Sequence, residues 1–278
     1  MHVLAAIVAA AQIHVVAAES TWGSIATQLG GSRVQVTSIL TNPATDPHDY
    51  EPTALDARAF AGAQLVIANG IGYDSWAAKL VAANPVSGRI VLTAGDVVGV
   101  KPGGNPHVWY SPADVRRVAA AIAGAYAKLD RKDAAYFRAR ERWFDTKALA
   151  TYDEYVSTIR RRLRGTPVGA SESIFAPLAQ ALGLRLLTPY SFLKAISEGA
   201  EPTAADIRTI ERQIAKREIK VWVFNRQNST PDVARLTAAA RKRRIPVVSI
   251  TETLSPPSAT FEQWQVRQLR ALLIAIQR

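Results

Sequence analysis

The chain has 278 residues, 48% of them hydrophobic, with 34 Lys+Arg against 23 Asp+Glu and no cysteine. That length and apolar content fit two core-bearing lobes and exclude a disordered chain. Without thiols, disulfides, cysteine-ligated zinc, iron–sulfur clusters and thiol catalysis are excluded, so any metal must be held by nitrogen and oxygen. The net charge of +11 raises an anionic partner. Its clusters, at 160–164, 216–217 and 241–244, fall near expected helix ends with no interleaved aromatics. They read as solvated faces suited to the helix dipole, and no nucleic acid is expected.

Residues 1–12 join a short apolar run to a small-residue end and read as the remnant of an export signal, although a basic start is missing. The run is too short to cross a bilayer, and no later one is long and apolar enough, so the chain itself is not expected to span a membrane. Val/Ile-rich runs at Ile13–Glu19, Val34–Leu40, Leu65–Asn69 and Arg89–Thr93 read as strands buried on both faces. Helices are predicted between them at Trp22–Leu29, Thr53–Ala61 and Asp74–Ala83, the second opened by Thr53 with Asp56 three residues on. Alternation of this kind predicts a parallel sheet.

Ser111-Pro112-Ala113-Asp114 then opens a helix, and a very long one follows over about 132–164. Leu149, Tyr152, Val156, Ile159 and Leu163 make a 3-4-3-4 stripe in it, and neither Pro nor Gly interrupts. About 30 residues would span about 45 Å, enough for a strut between lobes. The strand–helix scheme repeats after it, with strands at Val168–Ala170, Arg185–Leu187, Val221–Phe224 and Val247–Ile250. Thr203 with Asp206 and Thr230-Pro231-Asp232 are helix starts, Gly183 is a helix stop, and a last helix begins near Phe261. The expected fold class is α/β: two lobes, each a parallel sheet flanked by helices, joined by one long rigid helix. The expected boundaries are 13–130, 131–165 and 166–278.

The residues that carry chemistry are few. Two of the four histidines sit in proline-flanked loops, His48 in Asp46-Pro47-His48-Asp49-Tyr50-Glu51-Pro52 and His107 in Asn105-Pro106-His107-Val108-Trp109. Each loop follows a predicted strand, and imidazole in a stiffened loop suits a metal ligand. In open α/β sheets ligands gather beyond the carboxyl ends of strands. The matching places in the second half hold Glu172 and Glu252. The four together predict a two-His, two-carboxylate metal site, with Glu198 or Glu201 as alternatives to Glu252.

These motifs resemble the metal-binding solute-binding proteins of ABC importers, the TroA-like or cluster A-I family. The resemblance covers residues 13–278 and rests on Trp22, Gly30-Gly31, both histidine loops, the long helix, Ser171-Glu172-x-x-Phe175, Glu201-Pro202-Thr203 and Thr251-Glu252. It implies a cleft site with His48, His107, Glu172 and the position of Glu252 as ligands. It also implies an extracytoplasmic chain that hands its metal to an ABC permease, and a monomer is expected. The chain departs from the family pattern in four places. Glu stands where the last ligand is commonly Asp, and Glu172 replaces the histidine typical of zinc-specialised members. Residues 95–106 contain no His-rich loop, and no lipobox Cys is present, which leaves the anchoring open.

Carboxylates harden the site toward Mn²⁺ or Fe²⁺, while the Irving–Williams order favours Zn²⁺. Four protein ligands leave little room for a reactive water, so capture is expected and not catalysis. Asp46, Asp49, Glu51, Asn105 and Trp109 are candidates for orienting the ligands. Two alternatives stand beside this reading. One is a two-His, one-carboxylate metalloenzyme, for which His-Glu-x-x-His and a nucleophile elbow are missing. The other is a binding protein for a chelated metal of siderophore or cobalamin type.

Overall fold

The structure is a computed structural model that describes residues 12–45 and 50–277. The export-signal segment up to residue 11, and Asp46, Pro47, His48 and Asp49, lie outside the described residues.

Four parallel strands build the first sheet: β1 (Ile13–Glu19), β2 (Val34–Leu40), β3 (Leu65–Ala68) and β4 (Ile90–Thr93), in the order β2-β1-β3-β4. Four more build the second: β5 (Pro167–Ala170), β6 (Arg185–Leu186), β7 (Trp222–Asn225) and β8 (Val247–Ile250), in the order β6-β5-β7-β8. Both sheets are parallel throughout. Because the two orders are the same permutation, each sheet switches direction between its two central strands. That is where an open α/β sheet leaves a crevice at its carboxyl edge.

The helices follow the signals in the chain. In the first lobe α1 (Ser20–Gly30) covers the sheet, and α2 (Ala54–Gly62) starts in a full capping box between Thr53 and Asp56. α3 (Ser75–Ala83), α4 (Ala94–Val98) and α5 (Pro112–Leu129) complete it, α5 capped by Ser111. After the linking helix come α8 (Ala176–Leu182), α9 (Tyr190–Ser197), α10 (Ala204–Ala215), α11 (Pro231–Lys242) and α12 (Phe261–Gln277). Thr203 and Thr230 cap α10 and α11, and Gly183 closes α8 at φ 69, in the left-handed region that glycine enters without strain.

The linking helix has the length expected but contains a turn of another kind. α6 (Ala134–Trp143) passes through a π-helical turn, Phe144–Ala148, into α7 (Ala150–Leu163). The reason lies in two buried residues five apart. Phe144 and Leu149 are both in the core, and an α-helix would place them on different faces. The bond from Leu149 N–H to the Phe144 carbonyl, 3.0 Å, widens the turn and brings both to the same side. Arg116 on α5 braces this stretch, donating to Asp145 at 2.6 Å before the turn's end and to Asp153 at 2.6 and 2.7 Å beyond it.

One core cluster runs from Val15 and Trp22 through Phe144, Tyr152 and Ile159 to Val223 and Trp264, so the helix is packed into both lobes. Further bonds tie the lobes beneath the cleft. Tyr110 donates to the Thr251 carbonyl at 2.7 Å, Phe261 N–H to Ser24 Oγ at 2.9 Å, and Gln28 to Glu262 at 2.9 Å.

Candidate metal centre

His107 stands just before a 3-10 turn, Val108–Tyr110, and its loop is pinned by Asn69, whose amide donates to the Pro106 carbonyl at 2.9 Å. Asn105 fixes the ring. Its Oδ1 lies 2.8 Å from His107 Nδ1 and also accepts the His107 main-chain N–H at 3.0 Å. Its Nδ2 donates across the cleft to the Ser173 carbonyl at 2.7 Å. An oxygen that takes the main-chain N–H is an acceptor, so Nδ1 carries the ring proton. Nε2 is the ring nitrogen that faces Glu172 and Glu252. Trp109 and Tyr73 close on the ring edge to face, with centroids at 5.3 and 6.0 Å.

Glu172 follows β5 and Glu252 follows β8, and both are fully buried. His107 Nε2 lies 3.5 Å from Glu172 Oε1 and 3.8 Å from Glu252 Oε2. One donor atom from each of the three residues falls within 4.8 Å of the others. Two donors about 2.1 Å from a common ion at a tetrahedral angle stand about 3.4 Å apart, so the spacing fits a shared cation. Charge points the same way. Two buried carboxylates beside a neutral imidazole carry two negative charges that a divalent cation balances, where burial alone would be costly.

The carboxylates are held from behind by Asn225, the last residue of β7. Its Nδ2 donates to Glu172 Oε2 at 2.7 Å and to Glu252 Oε1 at 2.6 Å. Its Oδ1 accepts the Gln227 N–H at 3.0 Å, which settles which end of the amide faces the acids. Tyr73 donates its hydroxyl to Glu252 Oε2 at 2.5 Å. Burial first, then the Glu252 charge, pushes the Tyr73 phenol well above its usual range, so it stays a donor. Gln227 Oε1 receives the N–H groups of Glu252 and Thr253 at 2.8 and 3.1 Å and fixes that loop.

Deeper in the first lobe, Glu19 at the end of β1 faces Asp74. Burial pushes the Glu19 carboxyl well above its usual value, and the Asp74 charge adds to the rise. Burial raises Asp74 too, against the N–H groups of Asn69 and Gly70 that it accepts at 2.6 and 2.7 Å.

Of the expected ligands, the structure brings His107, Glu172 and Glu252 together, and His48 lies outside the described residues. Glu198 and Glu201 are exposed, Glu198 beside Lys194 at 3.6 Å, and neither is in the cluster. Asn105 and Trp109 contact His107, whereas Glu51 is exposed; Asp46 and Asp49 are outside the described residues. Asn225, Tyr73 and the Glu19–Asp74 pair were not among the candidates read from sequence. Asn225 had a usable signal, since it ends an apolar strand as Glu172 and Glu252 nearly do. A cleft of about 420 Å³ opens beside Tyr73, Asn105 and Ser173, and none of the three clustered residues lines it.

Two parallel α/β lobes meet at a cluster of buried nitrogen and oxygen donors, an arrangement suited to binding a cation. The chain belongs to the family described as zinc-uptake complex component A, periplasmic, whose model matches residues 15–275. It is 25% identical to the metal ABC transporter substrate-binding lipoprotein FimA of Streptococcus parasanguinis, over 86% of this chain and 79% of that one. It is also 25% identical to the manganese ABC transporter substrate-binding lipoprotein PsaA of Streptococcus pneumoniae, over 75% and 70%. The fold matches that of a Mn-bound periplasmic metal-binding protein from Candidatus Liberibacter asiaticus. The TM-score is 0.77 at 20% identity, covering 95% of this chain and 99% of that one. The chain is thus a metal-binding substrate-binding component of an ABC importer, works outside the cytoplasm, and is not an enzyme. Among the described residues no helix is long and apolar enough to cross a membrane.

Proposed function

We propose that His107, Glu172 and Glu252, joined by His48 from the 46–49 loop, bind one divalent transition-metal ion as cargo in the cleft. The chain, acting as a monomer, then hands that ion to a membrane permease. The observation that carries this reading is the buried cluster of three donor atoms within 4.8 Å at the carboxyl ends of both sheets. Imidazole with carboxylate suits Zn²⁺, Mn²⁺ and Fe²⁺ alike, and all three are candidate cargo. Relatives carry manganese and iron in their names, PsaA the first and YfeA of Yersinia pestis the second.

The test is metal content per chain, measured by native mass spectrometry and elemental analysis on protein from metal-limited cells. One equivalent is expected in the parent and almost none in His107→Ala, Glu172→Gln or Glu252→Gln. Full occupancy in any two of these variants would place the ion elsewhere.

A further inference from the structure

Far from the metal cluster, at the amino ends of β7 and β8, a pocket of about 820 Å³ is lined by Arg217, Lys220, Arg241 and Arg244. Buried Ile219 and Ile245 contribute to its floor. Among the described residues no carboxylate lines it, and Glu218, next to Arg217 in sequence, is not part of its wall. We propose that this pocket binds an anion carrying at least two phosphoryl charges, a site separate from the metal cluster at the carboxyl ends of the strands. Taken one at a time, the basic clusters at 216–217 and 241–244 read as solvated helix ends. Folding brings them, with Lys220, to one place.

Helix capping does not employ these side chains. The last carbonyls of α10 accept the main-chain N–H groups of Lys216, Arg217 and Glu218, and those of α11 accept Arg243, Arg244 and Ile245, all at 2.8–3.1 Å. Among the described residues none of the four basic side chains makes a hydrogen bond or an ion pair, and Arg241 lies over the Phe224 ring at 5.9 Å. Arg235, earlier on α11, by contrast pairs with Glu211 and Asp232. The backbone adds a second, independent sign. Arg217 and Arg244 stand at φ 54 and φ 55, in the left-handed region. At the matching ends of α4 and α8 the chain has Gly99 and Gly183. A side chain is disfavoured at such a position, and at both places the one supplied is a guanidinium lining the same pocket. Three guanidinium forks and an ammonium suit phosphoryl oxygens, which a guanidinium binds two at a time. A single carboxylate would leave most of this charge unanswered. A soluble oligophosphate and a lipid headgroup both present the required group, and the test separates them.

The measurement is calorimetric titration of the metal-free chain with tripolyphosphate at about 0.15 M salt, where exposed charges more than about 8 Å apart are largely screened. Beside it runs co-sedimentation with phosphatidylcholine vesicles that contain or lack cardiolipin, a lipid with two phosphates. One tripolyphosphate per chain is expected. Binding to cardiolipin vesicles without binding of tripolyphosphate would support the pocket with a lipid headgroup as its ligand. Arg217→Gly and Arg244→Gly suit their backbone, so the doubly altered chain should melt no lower than the parent. It should nevertheless bind the probe at least about tenfold more weakly, having lost two charge-assisted contacts. Arg138→Gln with Arg142→Gln removes the same charge from exposed positions on α6 and should leave binding nearly unchanged. Both double variants should take up as much metal as the parent. Binding of neither probe at this salt would overturn the proposal. So would an equal loss in the α6 variant, since that is the mark of diffuse charge and not of a site.

Discussion

Tyr73 in the first lobe donates its hydroxyl to Glu252 in the second at 2.5 Å, so one hydrogen bond links the lobes through a candidate ligand. A bond to a charged, buried acceptor contributes about 1.5–3 kcal/mol. Tyr73→Phe should lower the melting temperature of the metal-free protein by several degrees. It should also speed metal loss, because the Glu252 carboxylate then loses one of the bonds that orient it. Calorimetry of the apo protein and a chelator-chase dissociation rate check both. A variant that melts lower but releases metal at the parent's rate would mean the hydroxyl supports the fold and not the ligand.

Metal should stabilise the chain through His107. An ion bound only to the native state at a thousandfold excess over Kd adds about 4 kcal/mol. His107→Ala should lose most of that gain. His14→Ala should keep it, since His14 is exposed near the amino end of β1 and is not part of the cluster. Thermal melts with and without Zn²⁺ or Mn²⁺ read the difference. The same melts across pH should show the gain shrinking as pH falls, because the ring binds metal only when unprotonated.

The Glu19–Asp74 pair gives an opposite pH effect in the metal-free protein. Burial raises the folded-state pKa of both groups above the ordinary carboxylate range. A raised pKa means the folded state holds its protons more tightly than the unfolded chain. Stability from this pair is therefore complete below the ordinary carboxylate pKa, about 4, and is lost as pH rises through the folded values. Glu19→Gln keeps the shape and removes the burden of a buried charge, so it should raise apo stability at neutral pH and flatten this part of the pH profile. Urea midpoints at pH 4.5, 6 and 7.5 are the measurement; a variant that is less stable than the parent at pH 7.5 would contradict the account.

The linking helix should keep closure small. It is packed into the core of both lobes at Phe144, Leu149, Tyr152 and Ile159. A strut held along its length permits loop or lobe adjustment more readily than wide hinge motion. Small-angle scattering of apo and loaded protein should differ little in radius of gyration. Arg116→Ala, which removes the brace on Asp145 and Asp153, should cost only about 1 kcal/mol, because these ion pairs are partly exposed and screened.

Much of this arrangement was legible in the chain. Parallel sheets announce themselves in runs such as Leu65–Ala68, apolar on both faces, and caps such as Thr53 with Asp56 mark helix starts locally. The strand-end rule reached Glu172 and Glu252, and a stiff Pro-His loop reached His107. What stayed hidden depends on contacts that no local pattern encodes. The π turn at Phe144–Ala148 has neither Pro nor Gly to signal it and follows from two core residues five apart. Asn225 and Tyr73 act only through residues far along the sequence, and Glu19 reads as the polar end of a strand until folding sets Asp74 against it.

The central claim is that one ion sits between both lobes, and anomalous diffraction above the metal edge on Zn²⁺- or Mn²⁺-loaded crystals tests it most directly. The account predicts a single strong peak about 2.0–2.6 Å from His107 Nε2, Glu172 Oε1, Glu252 Oε2 and one nitrogen of His48. A peak bound by any other set of side chains, or no peak between the lobes in protein that carries one equivalent of metal, would contradict it.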